Sequence, residues 1–246
     1  MNRVVDKTQQ IEWKRQAAEA ASRLVEGGMI VGLGSGSTAL LFVEALGRRV
    51  TQEGLRFTGM ATSVETEDRA LSAGIPLETF AQHTRLDLDI DGADEIQIGT
   101  LYLIKGLGGA LLREKIVAAA SDRFIVIGDA SKVVKHLGAR TPVPVEVAQF
   151  GWQATEKRLG SLGATPVLRL NSEGAPFITD GGNYIIDCAF GAMESPKEIA
   201  HHLDHVVGAV EHGLFLGFAK EAIVCGPDGV QVLRREEMPK AGAGKP

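Results

Sequence analysis

The stretch Met29-Ile30-Val31-Gly32-Leu33-Gly34-Ser35-Gly36-Ser37-Thr38 decides the fold of this chain. Its first half, residues 29–33, is a short apolar run typical of a buried strand, and its second half is a turn of glycine and serine. Apolar residues then recur with helical spacing from Ala39 to Leu46. The stretch therefore predicts a strand, a loop and a helix, the unit from which parallel sheets are built.

The same order of strand and helix returns along the chain. A helix over residues 11–24 precedes the opening unit, and further elements follow it: strands at 57–61, 86–90 and 124–127, and helices at 65–73 and 110–121. This alternation predicts a parallel sheet with helices on both faces. Pro227-Asp228-Gly229 separates two apolar runs and predicts a hairpin that returns to this sheet.

The pattern changes after Ser131. Strands are predicted at residues 141–147, 166–170, 176–179 and 184–189, and helices at 149–162 and 196–207. We therefore expect an α/β fold with two domains: a Rossmann-like parallel-sheet domain of residues 1–137 and 213–246, and a smaller α+β (ferredoxin-like) domain of residues 138–212. Residues 238–246 are predicted to be disordered.

Composition excludes several classes of function. The chain has 246 residues, 44% of them apolar, and a formal net charge of -5, so it lacks the basic surface that nucleic-acid binding requires. No apolar run is long enough to cross a bilayer, and the N-terminal residues lack the apolar core of a signal peptide. Cys188 and Cys225 lack the spacing of metal ligands. We expect a cytoplasmic protein that binds neither nucleic acid nor membrane.

The loop Ser35–Thr38 is a candidate anion site, because small residues between a strand and a helix present free N–H groups to a phosphate. No lysine precedes its last hydroxyl residue, as a nucleotide-binding P-loop would require. The loop also fits a permissive dinucleotide pattern, but the predicted second strand ends at Thr62-Ser63 and not at an acid for the ribose diol. A small phosphate ligand fits better than a nucleotide.

Further segments bring charged side chains to the same edge of the predicted sheet. Asp91-Gly92-Ala93-Asp94-Glu95 follows a strand, and its carboxylates suit acid-base catalysis or a divalent cation. Lys105–Lys115 combines a cation, a glycine loop and Glu114, which lies early in a helix. Lys132 follows another strand and would add a second cation. These segments predict a site for an anionic substrate.

Two histidines form the other candidate constellation. His201 and His205 are four residues apart on a predicted helix and could share a metal ion. The helical zinc-protease pattern would need a glutamate where His202 stands, and the sequence offers no third ligand. We therefore expect neither a metal site nor a cofactor.

Taken together, four segments resemble the type A family of ribose-5-phosphate isomerases: residues 34–38, 91–95, 105–115 and 128–132. Further matches at residues 62–66, 142–147 and 226–229 extend the resemblance over nearly all of residues 10–234. Two departures are small, because Ser35 replaces a threonine that is common in the family and Leu107 interrupts a glycine run. Neither departure removes a charged group.

The resemblance implies a homo-oligomer, such as a homodimer, that interconverts D-ribose 5-phosphate and D-ribulose 5-phosphate in the non-oxidative branch of the pentose phosphate pathway. It implies that the catalytic residues are Glu114, Asp91, Asp94 and Lys105. It also implies a set of residues that bind the sugar phosphate: Ser35, Gly36, Ser37, Thr38, Asp91, Gly92, Ala93, Asp94, Lys105, Gly106, Leu107, Gly108, Lys132 and Lys14.

Elementary chemistry agrees with these roles. Moving a proton between two carbons through an enediolate needs a base, which Glu114 can supply, and positive charge at the oxygens, which Lys105 can supply. Asp91 or Asp94 would help to open the cyclic sugar. The sequence leaves two alternatives open: a sugar-phosphate sensor without catalysis, and an NAD-dependent oxidoreductase.

Overall fold

The computed structural model describes residues 6–235. Its helices are α1 (Lys7–Ser22), α2 (Gly36–Glu53), α3 (Val64–Ser72), α4 (Leu111–Ala119), α5 (Trp152–Gly160) and α6 (Pro196–Leu203). Its strands are β1 (Ile30–Leu33), β2 (Thr58–Ala61), β3 (Leu88–Gly92), β4 (Glu95–Gln97), β5 (Leu103–Ile104), β6 (Phe124–Asp129), β7 (Val133–Val134), β8 (Val143–Val147), β9 (Thr165–Leu168), β10 (Tyr184–Ala189), β11 (Ala209–His212), β12 (Leu214–Phe215), β13 (Glu221–Gly226) and β14 (Gly229–Arg234). The tail at residues 238–246, predicted to be disordered, lies outside the described residues. Within residues 6–235, no helix combines the length and apolar character that a bilayer span needs.

The central layer is a six-stranded sheet with the order β14-β13-β6-β3-β1-β2. The neighbours from β13 to β2 run parallel, as predicted. Strand β14 is antiparallel, because it pairs with β13 in the hairpin predicted around Asp228. Strand β1 lies between β2 and β3, because the chain adds β2 on one side of β1 and then crosses back to add β3 on the other side. A crevice forms at the carboxyl ends of strands where this happens.

Both faces of the sheet are covered by apolar contacts. Ile125 and Ile127 of β6 belong to a core cluster shared with α1 and α2, where Ala17 is completely buried. Phe124 and Val126 alternate with them and belong to the cluster on the opposite face, next to α4. Each fully buried side chain of this size contributes about 1.5–3 kcal/mol to stability. Because successive side chains of β6 point to opposite faces of the sheet, the strand packs against helices on both sides.

Two glycines of the opening stretch make room for carboxyl groups on the neighbouring strand. A Cβ atom on Gly34 would lie 2.2 Å from Asp91 Oδ1, and one on Gly32 would lie 2.5 Å from Asp89 Oδ1. Any larger residue at either position would displace the aspartate, because real Cβ atoms do not approach so closely. The strand that carries the glycine loop therefore also sets the place of Asp91.

The second domain contains an antiparallel sheet with the order β11-β8-β10-β9, packed against α5 and α6 through an apolar core. This agrees with the predicted α+β domain. The strand predicted at residues 176–179 is wrong, because this segment makes only an isolated bridge between Pro176 and Leu170. Its backbone leaves the sheet and reaches the first domain, where the carbonyl of Asp180 accepts a hydrogen bond from Arg113.

A third, short sheet has the order β12-β5-β4-β7 and was not expected from the sequence. Its strands have only two or three residues each, too few to show a periodic pattern. Lys105 directly follows β5, and its backbone N–H donates to the carbonyl of Gly213 over 2.9 Å. The short sheet therefore fixes the backbone of a predicted site residue.

Candidate active site

A cavity of about 270 Å³ opens at the carboxyl ends of β1, β3 and β6. Its lining comes from the segments singled out in the sequence and from the small domain: Ser35, Gly36, Ser37, Thr38, Ser63, Glu65, Gly92, Ala93, Asp94, Lys105, Gly106, Gly108, Gly109, Ala110, Glu114, Lys132, Phe177 and Asp180. Three predicted site residues, Asp91, Leu107 and Lys14, do not line it. The remaining predicted residues meet in one place.

The loop after β1 turns its backbone towards the cavity. Gly36 has a φ of +82°, so the chain can turn sharply into α2. The N–H groups of Gly36, Ser37 and Thr38 donate to no described residue, and they form the positive end of the α2 dipole. This arrangement is suited to a phosphate group.

The side chain of Ser35 anchors the same loop from behind. Its hydroxyl oxygen lies 2.7 Å from Thr62 Oγ1 and 2.8 Å from Ser63 Oγ. Its backbone N–H donates to Asp91 Oδ1 over 3.0 Å. The end of β2 thus carries hydroxyl groups that hold the loop, in the place where a dinucleotide site needs an acid. This weighs against the NAD-dependent alternative.

Two lysines flank the loop. Lys14 reaches over from α1, and its Nζ donates to Ser37 Oγ over 3.0 Å at the rim of the cavity. Lys132 lines the cavity itself, from a single 3-10 turn after β6. Asp129 caps that turn by accepting a hydrogen bond of 3.0 Å from the backbone of Ser131. The two ammonium groups add positive charge around the free N–H groups.

Glu114, Lys105 and Asp91 form a buried charged group beside the loop. Lys105 Nζ lies 2.9 Å from Asp91 Oδ2 and 3.4 Å from Glu114 Oε1. The Lys105 ammonium also donates to the carbonyl of Gly92 over 2.6 Å. Lys105 and Glu114 line the cavity, whereas Asp91 is completely buried beneath them. The arrangement places a carboxyl group and a cation side by side at the cavity wall.

The charges in this group shift one another's pKa. Burial and the Asp91 carboxylate raise the pKa of Glu114 to about 8, although Lys105 opposes the shift. Burial also raises the pKa of Asp91, against the attraction of Lys105. Burial alone would lower the pKa of Lys105, but Asp91 and Glu114 outweigh it and raise that pKa. One ammonium thus contacts two carboxyl groups, and the pKa of each carboxyl is raised.

Asp94 lines the cavity and holds the second glycine loop. Its Oδ2 accepts a hydrogen bond of 2.9 Å from the backbone N–H of Leu107. Gly106 and Gly109 have φ values of +101° and +91°, which allow the tight turn between β5 and α4. The side chain of Leu107 is 39% exposed and lies outside the cavity lining. A leucine is therefore tolerated where the resemblance leads one to expect glycine.

Phe177 and Asp180 of the small domain also line the cavity, and no motif in the sequence pointed to them. Asp180 Oδ2 accepts from the backbone N–H of Val64 over 2.9 Å, at the start of α3. Arg113 of α4 donates to the carbonyl of Asp180 over 3.1 Å. The only local signal is a turn at residues 180–183, which does not reveal partners so far away along the chain.

Asp89 is another buried carboxyl group that the sequence analysis did not single out. It is completely buried on the same face of β3 as Asp91, and neither of its oxygens has a hydrogen-bond partner among the described residues. Burial, followed by the charge of Asp91, raises its pKa well above the ordinary range. The surroundings of Asp89 therefore favour its protonated form over its charged form.

One group of side chains in residues 6–235 is close enough together to hold a metal ion, away from the cavity: Asp204, Glu211 and His212. Lys115 Nζ lies 2.7 Å from Glu211 Oε1, so an ammonium group already balances this cluster. His201 and His205, which the sequence analysis considered as ligands and set aside, do not belong to it. We therefore interpret the cluster as a structural network.

Comparison with known proteins gives a consistent result. A family described as ribose 5-phosphate isomerase A (phosphoriboisomerase A) matches residues 58–229. The chain is 54% identical to ribose-5-phosphate isomerase A of Synechococcus sp. over 91% of its own length and 97% of that protein. It is 56% identical to the enzyme of that name from Gluconobacter oxydans, over 89% of this chain and 94% of that protein.

Solved structures show the same similarity. Ribose 5-phosphate isomerase A from Methanocaldococcus jannaschii superposes with a TM-score of 0.87 at 39% identity, over 91% of this chain and 99% of that one. A D-ribose-5-phosphate isomerase in complex with phospho-erythronic acid gives a TM-score of 0.88 at 36% identity, over 91% and 98% of the two chains.

Proposed function

The chain belongs to the ribose 5-phosphate isomerase A family, and from this premise we propose how its residues interconvert D-ribose 5-phosphate and D-ribulose 5-phosphate, a reaction of the pentose phosphate pathway. The observation that carries the proposal is the carboxyl group of Glu114 at the cavity wall, 3.4 Å from the ammonium group of Lys105. A base beside a cation supplies what proton transfer through an enediolate needs.

The phosphate group binds at the start of α2. The free N–H groups of residues 36–38 and the nearby ammonium groups of Lys14 and Lys132 support this assignment. Further support comes from the similar structure that holds phospho-erythronic acid, a phosphorylated sugar acid. Fixing the phosphate there orients the reacting carbons. The free energy gained by binding the phosphate thus lowers the barrier to proton transfer.

Glu114 is the base in this proposal. As a carboxylate it takes the proton from C2 of the open-chain aldose and returns it to C1, while the hydroxyl proton on the C2 oxygen passes to the C1 oxygen, which leaves the ketose. Negative charge develops on the oxygens of C1 and C2 during the transfer, and Lys105 stabilises it. A base with a pKa near the working pH can both accept and return a proton, and the pKa of Glu114, raised to about 8 by burial and Asp91, meets this condition.

The two aspartates have different places and therefore different roles. Asp94 lines the cavity, so its carboxylate can exchange hydroxyl protons with the cyclic sugar and help to open the ring. Asp91 is buried and contacts both Lys105 and the N–H of Ser35. We therefore assign ring opening to Asp94, and to Asp91 the task of holding the cation and the phosphate loop in place.

The proposal also covers the assembly and its location. We place the catalytic α/β domain in residues 1–137 and 213–246 and the small domain in residues 138–212, because the antiparallel sheet lies within the latter range. We propose a cytoplasmic homo-oligomer such as a homodimer. The two buried free thiols support a reducing compartment, and the family resemblance supports the oligomer.

The test is a coupled assay of ribose 5-phosphate conversion by protein treated exhaustively with EDTA. We expect full turnover without added metal, because the proposed base and cations belong to the chain itself. If stripping abolishes turnover and Mg²⁺ or Zn²⁺ restores it, the role given to Lys105 is wrong and Asp91 and Asp94 become candidate ligands. Binding of ribose 5-phosphate without conversion would favour the sensor alternative.

A further inference from the structure

Arg169 extends from the end of β9 in the small domain to the glycine loop of the active site. Its Nη1 donates to two backbone carbonyls of that loop, those of Gly106 and Leu107, over 3.0 Å each. Its Nε donates to Asp187 Oδ2 over 2.9 Å, and its Nη2 pairs with the other oxygen of the same carboxylate. Only 12% of the Arg169 side chain is exposed. The guanidinium is thus paired with Asp187 on one side and hydrogen-bonded to the loop on the other.

These two contacts determine where the N–H groups of the loop point. In a planar trans peptide, the carbonyl and the N–H of the same unit point in opposite directions. The Gly106 carbonyl faces Arg169, and the N–H of the same unit, on Leu107, accordingly points away and donates to Asp94 Oδ2 over 2.9 Å. The Leu107 carbonyl also faces Arg169, so the N–H of Gly108 must point away from the guanidinium.

The N–H of Gly108 is a free donor at the cavity. Gly108 lines the cavity, and its N–H donates to no residue in the described part of the chain. Lys105, the cation of the site, lies three residues before it and lines the same wall. A preorganised N–H in this place is suited to an oxygen on which negative charge develops.

Phe177 supports the other end of the loop from the same domain. A Cβ atom on Gly109 would lie 2.5 Å from Phe177 Cζ, so the ring packs directly on the glycine backbone. The guanidinium of Arg169 lies 5.9 Å from the centre of this ring. The small domain therefore contacts the loop at residues 106, 107 and 109, and leaves Gly108 facing the cavity.

We propose that Arg169 is a positioning residue of the isomerase site, which orients the peptide units of residues 106–108 so that the Gly108 N–H donates to a sugar oxygen of the enediolate. The inference rests on the proposed function and deepens it. It assigns to the small domain a direct part in the geometry of the reaction. Arg169 does not itself contact substrate, since it does not line the cavity.

The test compares Arg169→Met, which keeps a long apolar stem, with Arg169→Lys, which keeps a charge but cannot hold two carbonyls and a carboxylate together. Arg158→Ala is the control, because this exposed arginine of α5 makes no side-chain hydrogen bond among residues 6–235. Each variant is checked by circular dichroism. The readouts are kcat, KM, and the affinities for phospho-erythronic acid and for inorganic phosphate.

For Arg169→Met we expect kcat to fall about tenfold or more and phospho-erythronic acid to bind correspondingly more weakly. Affinity for inorganic phosphate should stay the same, because the α2 loop binds it without Gly108. Arg169→Lys should lie between Met and wild type, and Arg158→Ala should match wild type.

Two outcomes would overturn the inference. One is a folded Arg169→Met protein with wild-type kcat. The other is an equal loss of affinity for both ligands, which indicates general damage to the site. If the Met variant does not fold, the Lys variant decides, because a wild-type kcat for it would also overturn the inference. An inactive wild type would instead contradict the proposed function, so the two failures can be told apart.

Discussion

Glu114 depends on both of its charged neighbours, so its behaviour cannot be assigned to a single side chain. Asp91 does not line the cavity, yet its carboxylate holds Lys105 at 2.9 Å, and its charge, after burial, raises the pKa of Glu114. Lys105 lowers that pKa at the same time. A substitution at any of the three residues therefore changes the pKa of the other two.

Glu114→Gln should bind the sugar phosphate but barely convert it. The amide keeps nearly the same volume and can still form hydrogen bonds, but it cannot accept a proton from carbon. We expect kcat to fall by about two to four powers of ten, with a much smaller change in the affinity for phospho-erythronic acid. Exchange of solvent deuterium into the substrate should be lost as well. Near-normal turnover or exchange would require another base, and Asp94 would be examined next.

The pH dependence of kcat/KM should show the pKa of the free base. Glu114 must be deprotonated to act, and its pKa is raised to about 8 by burial and Asp91, so kcat/KM should rise with pH and level off above that value. Asp91→Asn removes a like charge, so the midpoint should move to lower pH. The substrate phosphate titrates near a pKa of about 6 and can be distinguished. A midpoint that stays unchanged in Asp91→Asn would argue against the electrostatic coupling.

At the scale of elements, the hydrophobic pattern of the sequence predicts the helices and strands that are long enough to show a period. The opening strand and loop, the helix after them and the hairpin around Asp228 occur where the sequence predicted them. The sequence does not predict strands β4, β5, β7, β11 and β12, because runs of two to four residues are too short to show a clear period. The apolar content of residues 176–179 predicts a strand, but it does not reveal whether the segment finds a partner strand.

Ser37→Asp should have opposite effects on the stability of α2 and on the binding of phosphate at its start. Ser37 is exposed at the helix start, so an aspartate should stabilise the helix by about 0.3–1 kcal/mol through the dipole. The same charge should repel the phosphate and raise KM about tenfold or more. Ser37→Asn is the matched neutral control and should change KM much less. If Ser37→Asp leaves KM and inhibition by inorganic phosphate unaltered, the phosphate binds elsewhere.

At the scale of the whole molecule, the active site is completed by residues that the chain brings together from a distance. Arg169 is 63 residues from Gly106 in sequence, and Asp180 is 116 residues from Val64. No spacing rule connects such positions, because the contacts arise only when the two domains pack. The charged motifs of the large domain were therefore predictable, whereas the contribution of the small domain was not.

Asp89 should make the stability of the protein fall as the pH rises. Its pKa is raised in the folded state, first by burial and then by Asp91, so the folded protein keeps a proton that the unfolded chain loses at the ordinary value of about 3.9. Its contribution is complete below that value and is lost as the pH approaches the raised pKa.

Asn at position 89 does not titrate, so Asp89→Asn should melt at the same or a higher temperature than wild type under mildly alkaline conditions. The measurement is the melting temperature of both proteins across the pH range, and Asp68→Asn serves as the control, because Asp68 is exposed on α3 and its side chain has no partner among residues 6–235. An equal pH dependence in wild type and Asp89→Asn would show that Asp89 is not the group responsible.

The double contact of Asp91 gives the site a fixed length. One of its oxygens accepts a hydrogen bond from Ser35 in the loop before α2, and the other contacts Lys105, next to Glu114. The proposed phosphate anchor and the proposed reacting groups are therefore joined by a single buried side chain, which fixes the distance between them. The site should therefore act as a ruler for carbon chains, and we expect a hexose phosphate anchored at the α2 loop to carry its carbonyl past Glu114.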